Sequence, residues 1–198
     1  MSGPTLTTAR LSLRPCGTGD VDWLHALWTD PQVRRFLFDD AVMTRARAEE
    51  LIRRSAHTFE KQGYGLWIVT RRQDGVRAGF AGLWPAKWED GPEIVYGLLP
   101  AFFGQGLALE AAAAVLTCGF GALRLPRILA AANPPNTRSV RVLERLGMRL
   151  QRTGELDGFE TLFYSLTREG FEMSPLHGGP DRAGYPGGVE QPGSSSGS

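Results

Sequence analysis

The chain has 198 residues, 42% of them hydrophobic, which is room for one domain with a sizeable core. Its 22 basic and 21 acidic side chains leave a formal charge of +1. There is therefore no global basic excess to hold nucleic acid and no single-signed field to steer a charged partner. No apolar run reaches membrane-spanning length, and the first residues lack an apolar signal core.

In chain order, "ARLSLRP" sets Ala9, Leu11 and Leu13 against Arg10, Ser12 and Arg14, the alternation of a half-buried strand. Asp20 is placed to cap a helix with Val21, Leu24 and Trp28 on one face. "DPQVRRF" starts a second short helix, with Asp30 as cap and Pro31 in the first turn. Between Thr44 and Gln62, Ala48, Leu51, Ile52, Ser55 and Phe59 follow helical spacing, and Gly63 ends the run. "LWIVTR" and "RAGFAGL" read as strands joined at "QDG", and "EIVYGLL" as a third. "PAFFGQGLALEAAAAVL" then runs two glycines into a helix reaching to about Ala122. The strand "RILAAA", a helix from Asn136 to Leu146 and a final pair around "RLQRTGE" and "ETLFYSL" complete the fold.

An antiparallel meander followed by strand–helix–strand predicts an α/β (mixed α+β) fold with a mixed sheet, not a doubly wound one. Residues 1–173 form the domain. Residues 174–198, rich in Gly, Pro and Ser, cannot offset the entropy of ordering and are expected to be a disordered tail. Cys16 and Cys118 suggest a reducing cytosol without a disulfide framework, and Cys118, on an Ala/Leu face, reads as a buried structural thiol. Arginine greatly outnumbers the two lysines, Lys61 and Lys87, a coding bias that suggests a GC-rich bacterium.

Paired glycines at a helix mouth suit a phosphate, and three kinds of protein use them. A P-loop needs Lys and Ser/Thr after its last glycine, but Leu107 and Ala108 follow Gly106. A dinucleotide site needs a third small residue and an acid about twenty residues on; Leu109 fills the first place and no acid lies between Glu110 and Glu144. The third kind grips a pyrophosphate with backbone N–H groups alone, and coenzyme A carries one. A plain turn entering a core helix is the alternative.

"YGLLPAFFGQGLALEAAAAVL" followed by "NPPNTRSVRVLERLGM" resembles the GNAT acetyltransferase superfamily, in its RimJ/RimL-like branch. Asn136, Ser139, Leu143, Glu144, Leu146, Gly147 and Met148 match the second motif in register. "TLTTARLSLRP" and "GLWIVTRRQDGVRAGFAGL" resemble the branch's first three strands, so the likeness runs from about residue 5 to 170. It implies the GNAT fold: a twisted, mostly antiparallel sheet of roughly six to seven strands and about four flanking helices, with a V-shaped splay between the fourth and fifth strands. It also implies acetyl-CoA as cofactor, contacted by Tyr96, Gly97, Leu98, Leu99, Phe102, Phe103, Gly104, Gln105, Gly106, Leu107, Ala108, Asn133, Asn136 and Ser139. The chain departs from the family at Ala101, where Gln or Arg is common, and at Leu143, where many members carry a tyrosine general acid.

The implied reaction is acetyl transfer to a primary amine, of a protein N-terminus or a small molecule, by direct attack in a ternary complex. Alignment contributes several kcal/mol, and a backbone N–H of the "IVYGLL" strand near Gly97, a place suited to a bulge or a close backbone approach, would polarise the carbonyl. Glu93 is the candidate base, or else a solvated strand-end carboxylate. Ser139 either relays a proton to the leaving thiolate or satisfies its own helix turn. Asn136 caps its helix and, in the further reading, touches the pantetheine. Trp84 and Trp88 either line the acceptor pocket or join the core, and Glu110 suits the helix dipole. An aminoglycoside would want acids such as Asp39, Asp40, Glu89 and Asp90. His25, His57 and His177 lack metal-ligand spacing, so no metal is expected. The rival class is a non-catalytic sensor that binds coenzyme A. A homodimer is the default assembly.

Overall fold

The computed structural model describes residues 3–37 and 40–174. The proposed tail beyond Ser174, His177 and Asp39 therefore lie outside the described residues. The strands are β1 (Leu6–Thr7), β2 (Leu11–Pro15), β3 (Leu66–Arg71), β4 (Arg77–Pro85), β5 (Pro92–Leu98), β6 (Arg127–Ala132), β7 (Arg149–Leu156) and β8 (Phe159–Thr167). The α-helices are α1 (Val21–Thr29), α2 (Pro31–Leu37), α3 (Arg45–Gln62), α4 (Leu107–Thr117), α5 (Thr137–Arg145) and α6 (Arg168–Glu172). These make one eight-stranded sheet in the order β1-β2-β3-β4-β5-β6-β8-β7. The count exceeds the six to seven strands expected. β1 is a two-residue strand and α6 a five-residue helix, both too short to show a period.

Every neighbouring pair is antiparallel except β5 and β6, which are parallel. Strand alternation sorts the core to the two faces. Trp67 and Val69 of β3, with Leu83 of β4, pack with α4 on one face. Leu66 and Ile68, with Phe80, pack with Trp28 of α1 and Ile52 of α3 on the other. The register slips twice in the sheet, between Val69 and Thr70 and between Leu150 and Arg152.

Helix ends follow local chemistry. Thr44 accepts from the Arg47 N–H to open α3, and Gly63 closes it with φ of 78°. Asp30 accepts from the Gln32 N–H at 2.8 Å to open α2. Asp20 holds the N-cap position of α1 but does not cap it. Its buried carboxylate instead accepts from Gly17 N–H at 2.9 Å and from both Nη atoms of Arg14. α4 ends at Thr117 and passes into a π-helical turn, Cys118–Ala122. Cys118 is buried, as its apolar face requires, and burial pushes its thiol up to about 11.

Candidate active site

The parallel pair β5–β6 meets at a single register position, Glu93 with Leu129. Beyond it the strands part, and the residues of β5 from Val95 onward have no partner on that edge. Against β4 the register of β5 runs unbroken from Pro92 to Leu98, so the bulge expected at Gly97 is not there. Gly97 instead lies beneath the Phe80 ring, which an added Cβ would meet at 2.8 Å. Leu99 N–H donates to Ala78 O on β4. Alternation therefore turns the Gly97 N–H toward β4 and the N–H groups of Tyr96 and Leu98 toward the gap. The donors available to a carbonyl are thus those two, not that of Gly97.

The glycine turn leads from β5 into α4. Gly104 and Gly106 have φ of 73° and 74°, the left-handed region that a side chain disfavours. An added Cβ at Gly104 meets nothing within 4 Å, so the protein itself leaves that space clear. Among the described residues the N–H groups of Gly104, Gln105, Gly106, Leu107, Ala108 and Leu109 donate to nothing. Unpaired amides at the positive end of a helix dipole form an anion site. The Gln105 side chain turns back to donate to Ala101 O at 2.8 Å.

Glu110, one turn into α4, does more than suit the dipole. Its carboxylate accepts from Thr8 Oγ1 at 2.6 Å, from Arg10 N–H at 2.9 Å and from Arg10 Nε. Arg10 Nη1 in turn donates to Gln105 O at 2.9 Å. Burial pushes the Glu110 carboxyl up, but the bonds from Thr8 and Arg10 outweigh it and hold the group below its usual range. The glycine turn is thereby pinned, through Thr8 and Arg10, to the connection between β1 and β2.

A cleft of about 700 Å³ runs past the turn. Of the expected cofactor contacts it takes in Tyr96, Gly97, Leu98, Phe102, Phe103, Gly104, Gly106, Leu107, Ala108, Asn136 and Ser139. Leu99 packs into the core, and Asn133 lines a neighbouring cavity. Sequence reasoning missed Arg35, Arg138, Arg141 and Arg145, which line the cleft and form no ion pair among the described residues. The signal was present: Arg138, Arg141 and Arg145 recur at helical spacing along α5. The Arg138 guanidinium lies 4.8 Å from the Phe103 ring.

The neighbouring cavity, about 360 Å³, shares Tyr96, Asn136 and Ser139 with the cleft. Tyr96 Oη and Ser139 Oγ are 2.9 Å apart across the gap. Asn136 accepts from Ser139 N–H at 3.2 Å, so it caps α5 and also lines both spaces. Trp84, Trp88 and Glu93 all line this cavity. Trp88 Nε1 donates to Glu93 Oε2 at 3.1 Å, and the other carboxylate oxygen has no hydrogen bond within the described residues. Burial pushes the Glu93 carboxyl up against the opposing effects of that bond and of Lys87. Glu93, near the start of β5, is half-buried rather than fully exposed. Of the expected acids, Asp40, Glu89 and Asp90 do not line the cavity; Asp40 pairs with Arg34 at 3.3 Å and Glu89 with Arg127 at 2.6 Å.

Among the described residues no group of three His, Cys, Asp or Glu is placed to hold a metal ion, and no helix is long and apolar enough to cross a membrane. The site offers a basic, amide-lined cleft leading to a half-buried carboxylate.

Comparison with known proteins follows the same outline. Residues 10–149 match the family model described as acetyltransferase (GNAT) domain. The uncharacterised N-acetyltransferase p20 of Bacillus licheniformis is 32% identical over 158 residues, 79% of this chain and 87% of that protein. A solved acetyltransferase from Agrobacterium tumefaciens superposes with a TM-score of 0.74 at 25% identity, covering 84% of this chain and 95% of that one. A spermidine N-acetyltransferase from Vibrio cholerae, solved with CoA and spermine, gives 0.69 at 18% identity over 82% of this chain and 98% of its own, a likeness of fold.

Proposed function

This chain belongs to the GNAT acetyltransferase family, and from that premise we propose that it moves an acetyl group from acetyl-CoA to a primary amine by direct attack in a ternary complex. The observation that carries the reading is the row of unpaired amides from Gly104 to Leu109 opening onto a cleft lined by four arginines, Arg35, Arg138, Arg141 and Arg145. Amides and guanidinium groups without a carboxylate suit a pyrophosphate and a further phosphate. Motif likeness supports a RimJ/RimL-like reading of the chain, and the two buried free thiols suit a cytoplasmic protein. The acceptor is a small-molecule or peptide amine, and the assembly a homodimer by default.

When bound, acetyl-CoA supplies the thioester carbonyl and the thiol leaving group. The glycine turn would hold its pyrophosphate, and the open edge of β5 would line its pantetheine arm. Tyr96 and Leu98 N–H would donate to the carbonyl oxygen as charge develops there. Glu93, steered by Trp88, takes a proton from the amine through its free oxygen, directly or through one water. Its raised proton affinity brings it closer to that of an α-amine, at about 7.7–8.0. Ser139, held by Tyr96, is the group placed to return a proton to the sulfur.

The test is binding and turnover together. Acetyl-CoA should raise the melting temperature where ATP and NAD do not, and thiol release should follow addition of an amine. Gly104→Val should remove the binding, because the β-branched side chain occupies the space left for phosphate and strains the backbone by about 1–2 kcal/mol; Gly104→Ala, with less strain, should weaken it. Wild-type affinity in both variants would overturn the site. Binding without turnover on any amine would favour the coenzyme A sensor.

A further inference from the structure

The walls of the smaller cavity say what kind of amine it takes. Trp28, Phe36, Leu51, Phe80 and Trp84 form an apolar, aromatic wall, and Arg47, Arg54, Lys87, Asn133 and Ser139 add polar groups around it. Two carboxylates line it among the described residues, Glu93 and Asp157, and Asp157 is paired with Lys87 at 2.9 Å. Glu93 is half-withdrawn into the protein and held by Trp88. Among the described residues the cavity thus has no second unpaired carboxylate for a second ammonium group.

Its cations tell the complementary story. Arg47 pairs with Glu50 at 2.6 Å. Arg54, on the next turns of α3, has no carboxylate partner among the described residues. Its guanidinium lies over the Trp84 ring, 5.0 Å from the centroid, so its plane is oriented before any ligand arrives. Trp84 stands directly opposite Glu93 in the β4–β5 ladder, which puts both side chains on one face of the sheet, about 5 Å apart at Cβ. Amine-accepting carboxylate, aromatic plate and unpaired guanidinium therefore lie side by side.

We propose that the acceptor is a small amine with an apolar or aromatic body that also carries an anionic group, such as a carboxylate, which Arg54 receives. Glu93 takes the amine end, Trp84 and its neighbours the body, and Arg54 the anion. A polyamine or aminoglycoside would set its extra ammonium groups against Arg54 and Arg47, with no unpaired carboxylate besides Glu93 lining the cavity among the described residues. The proposal rests on the acetyltransferase reading above and concerns only the acceptor.

The experiment compares L-phenylalanine with L-phenylalaninamide, and L-tryptophan with tryptamine, with spermidine and kanamycin as polycations. Each is assayed by thiol release from acetyl-CoA with the wild type and with Arg54→Met and Arg54→Lys. Within each amine the wild-type-to-variant ratio of kcat/KM cancels differences in amine basicity. Arg54→Met should lower kcat/KM for the two carboxylates about tenfold more than for their neutral partners, mostly through KM, the effect of one charge-assisted hydrogen bond. Arg54→Lys should restore part of that selectivity. The proposal is overturned if Arg54→Met lowers both members of each pair equally, if neither pair is turned over while another amine is, or if a polycation is the best acceptor. Failure of acetyl-CoA to bind, or of any amine to release thiol, would instead remove the acetyltransferase reading and this one with it.

Discussion

The hydroxyl of Tyr96 on β5 and that of Ser139 on α5 sit 2.9 Å apart where the two cavities meet, the one direct bond recorded between their side chains across the open side of the sheet. Burial pushes the Tyr96 phenol far up, more than the Ser139 bond lowers it, so the phenol keeps its proton near neutral pH, and either hydroxyl can donate to the other. Ser139→Ala should lower kcat about 10²-fold with little change in KM for acetyl-CoA, the scale of one proton-transfer contact. Tyr96→Phe should fall in between, and the double variant should be no slower than Ser139→Ala, because residues acting as a unit are not additive. Stopped-flow thiol release measures this; additive losses would separate the two.

Glu93 gives the pH dependence. A base works deprotonated, and burial raises the proton affinity of this one. Activity on a fixed neutral-amine fraction should therefore rise with pH through a midpoint above the ordinary carboxyl value of 4.5. Glu93→Gln should remove that rise and lower kcat about 10²-fold or more. Trp88→Phe, which deletes the donor holding the carboxylate, should shift the midpoint further up. A Glu93→Gln profile identical to the wild type would assign the proton to another group.

The arginines of α5 should tune donor affinity. Arg141→Ala and Arg145→Ala should each weaken acetyl-CoA binding by about 1–3 kcal/mol, the range for a hydrogen bond to a charged group. The losses should shrink as salt rises from low to physiological strength, because exposed charges are screened. Dephospho-CoA, lacking one phosphate, should bind both variants with a smaller penalty. Calorimetry at two ionic strengths decides this.

Acid should loosen the frame around the glycine turn. Glu110 and Asp20 are both held below their usual carboxyl values of 4.5 and 3.8 by partners that outweigh burial. For Asp20 those partners are the bonds from Arg14 and the Gly17 N–H and the charges of Arg14 and Arg77. A depressed group contributes stability that is complete above its unfolded value and is lost as pH falls through its folded one. Urea stability should thus be flat near neutrality and drop below about pH 4.5, less steeply in Glu110→Gln and Asp20→Asn. At pH 7 Glu110→Gln should cost about 1–3 kcal/mol through its weakened bonds to Thr8 and Arg10, and should raise the Kd for acetyl-CoA with it.

Wherever a residue's role was set by its neighbours in sequence, it could be read there. The bounds of β3 and β6, the start of α3 near Thr44, the Gly63 stop and the caps at Asp30 and Asn136 follow from local sequence chemistry. The two-glycine turn showed itself through backbone freedom alone. What stayed hidden was set by distant partners. Asp20 looked like a cap but had Arg14 and Arg77 within reach. Glu110 binds Thr8 and Arg10, about a hundred positions away. Gly97 suited a bulge until the Phe80 ring was seen to pack on it. Arg54 becomes informative only once α3 is laid beside Trp84, and Asp40 and Glu89 stop being acceptor ligands once their arginines are found.

The sheet is two antiparallel leaves, β1 to β5 and β6 to β8, riveted where Glu93 faces Leu129. A jaw hinged at one rivet moves most at its tips and least at its fulcrum. On the proposed role of Glu93 as base, a long ligand seated near Leu98 would meet the open part of the sheet while that carboxylate lies at the paired position. The enzyme thereby separates the compliance needed to admit a flexible arm from the stillness needed for proton transfer.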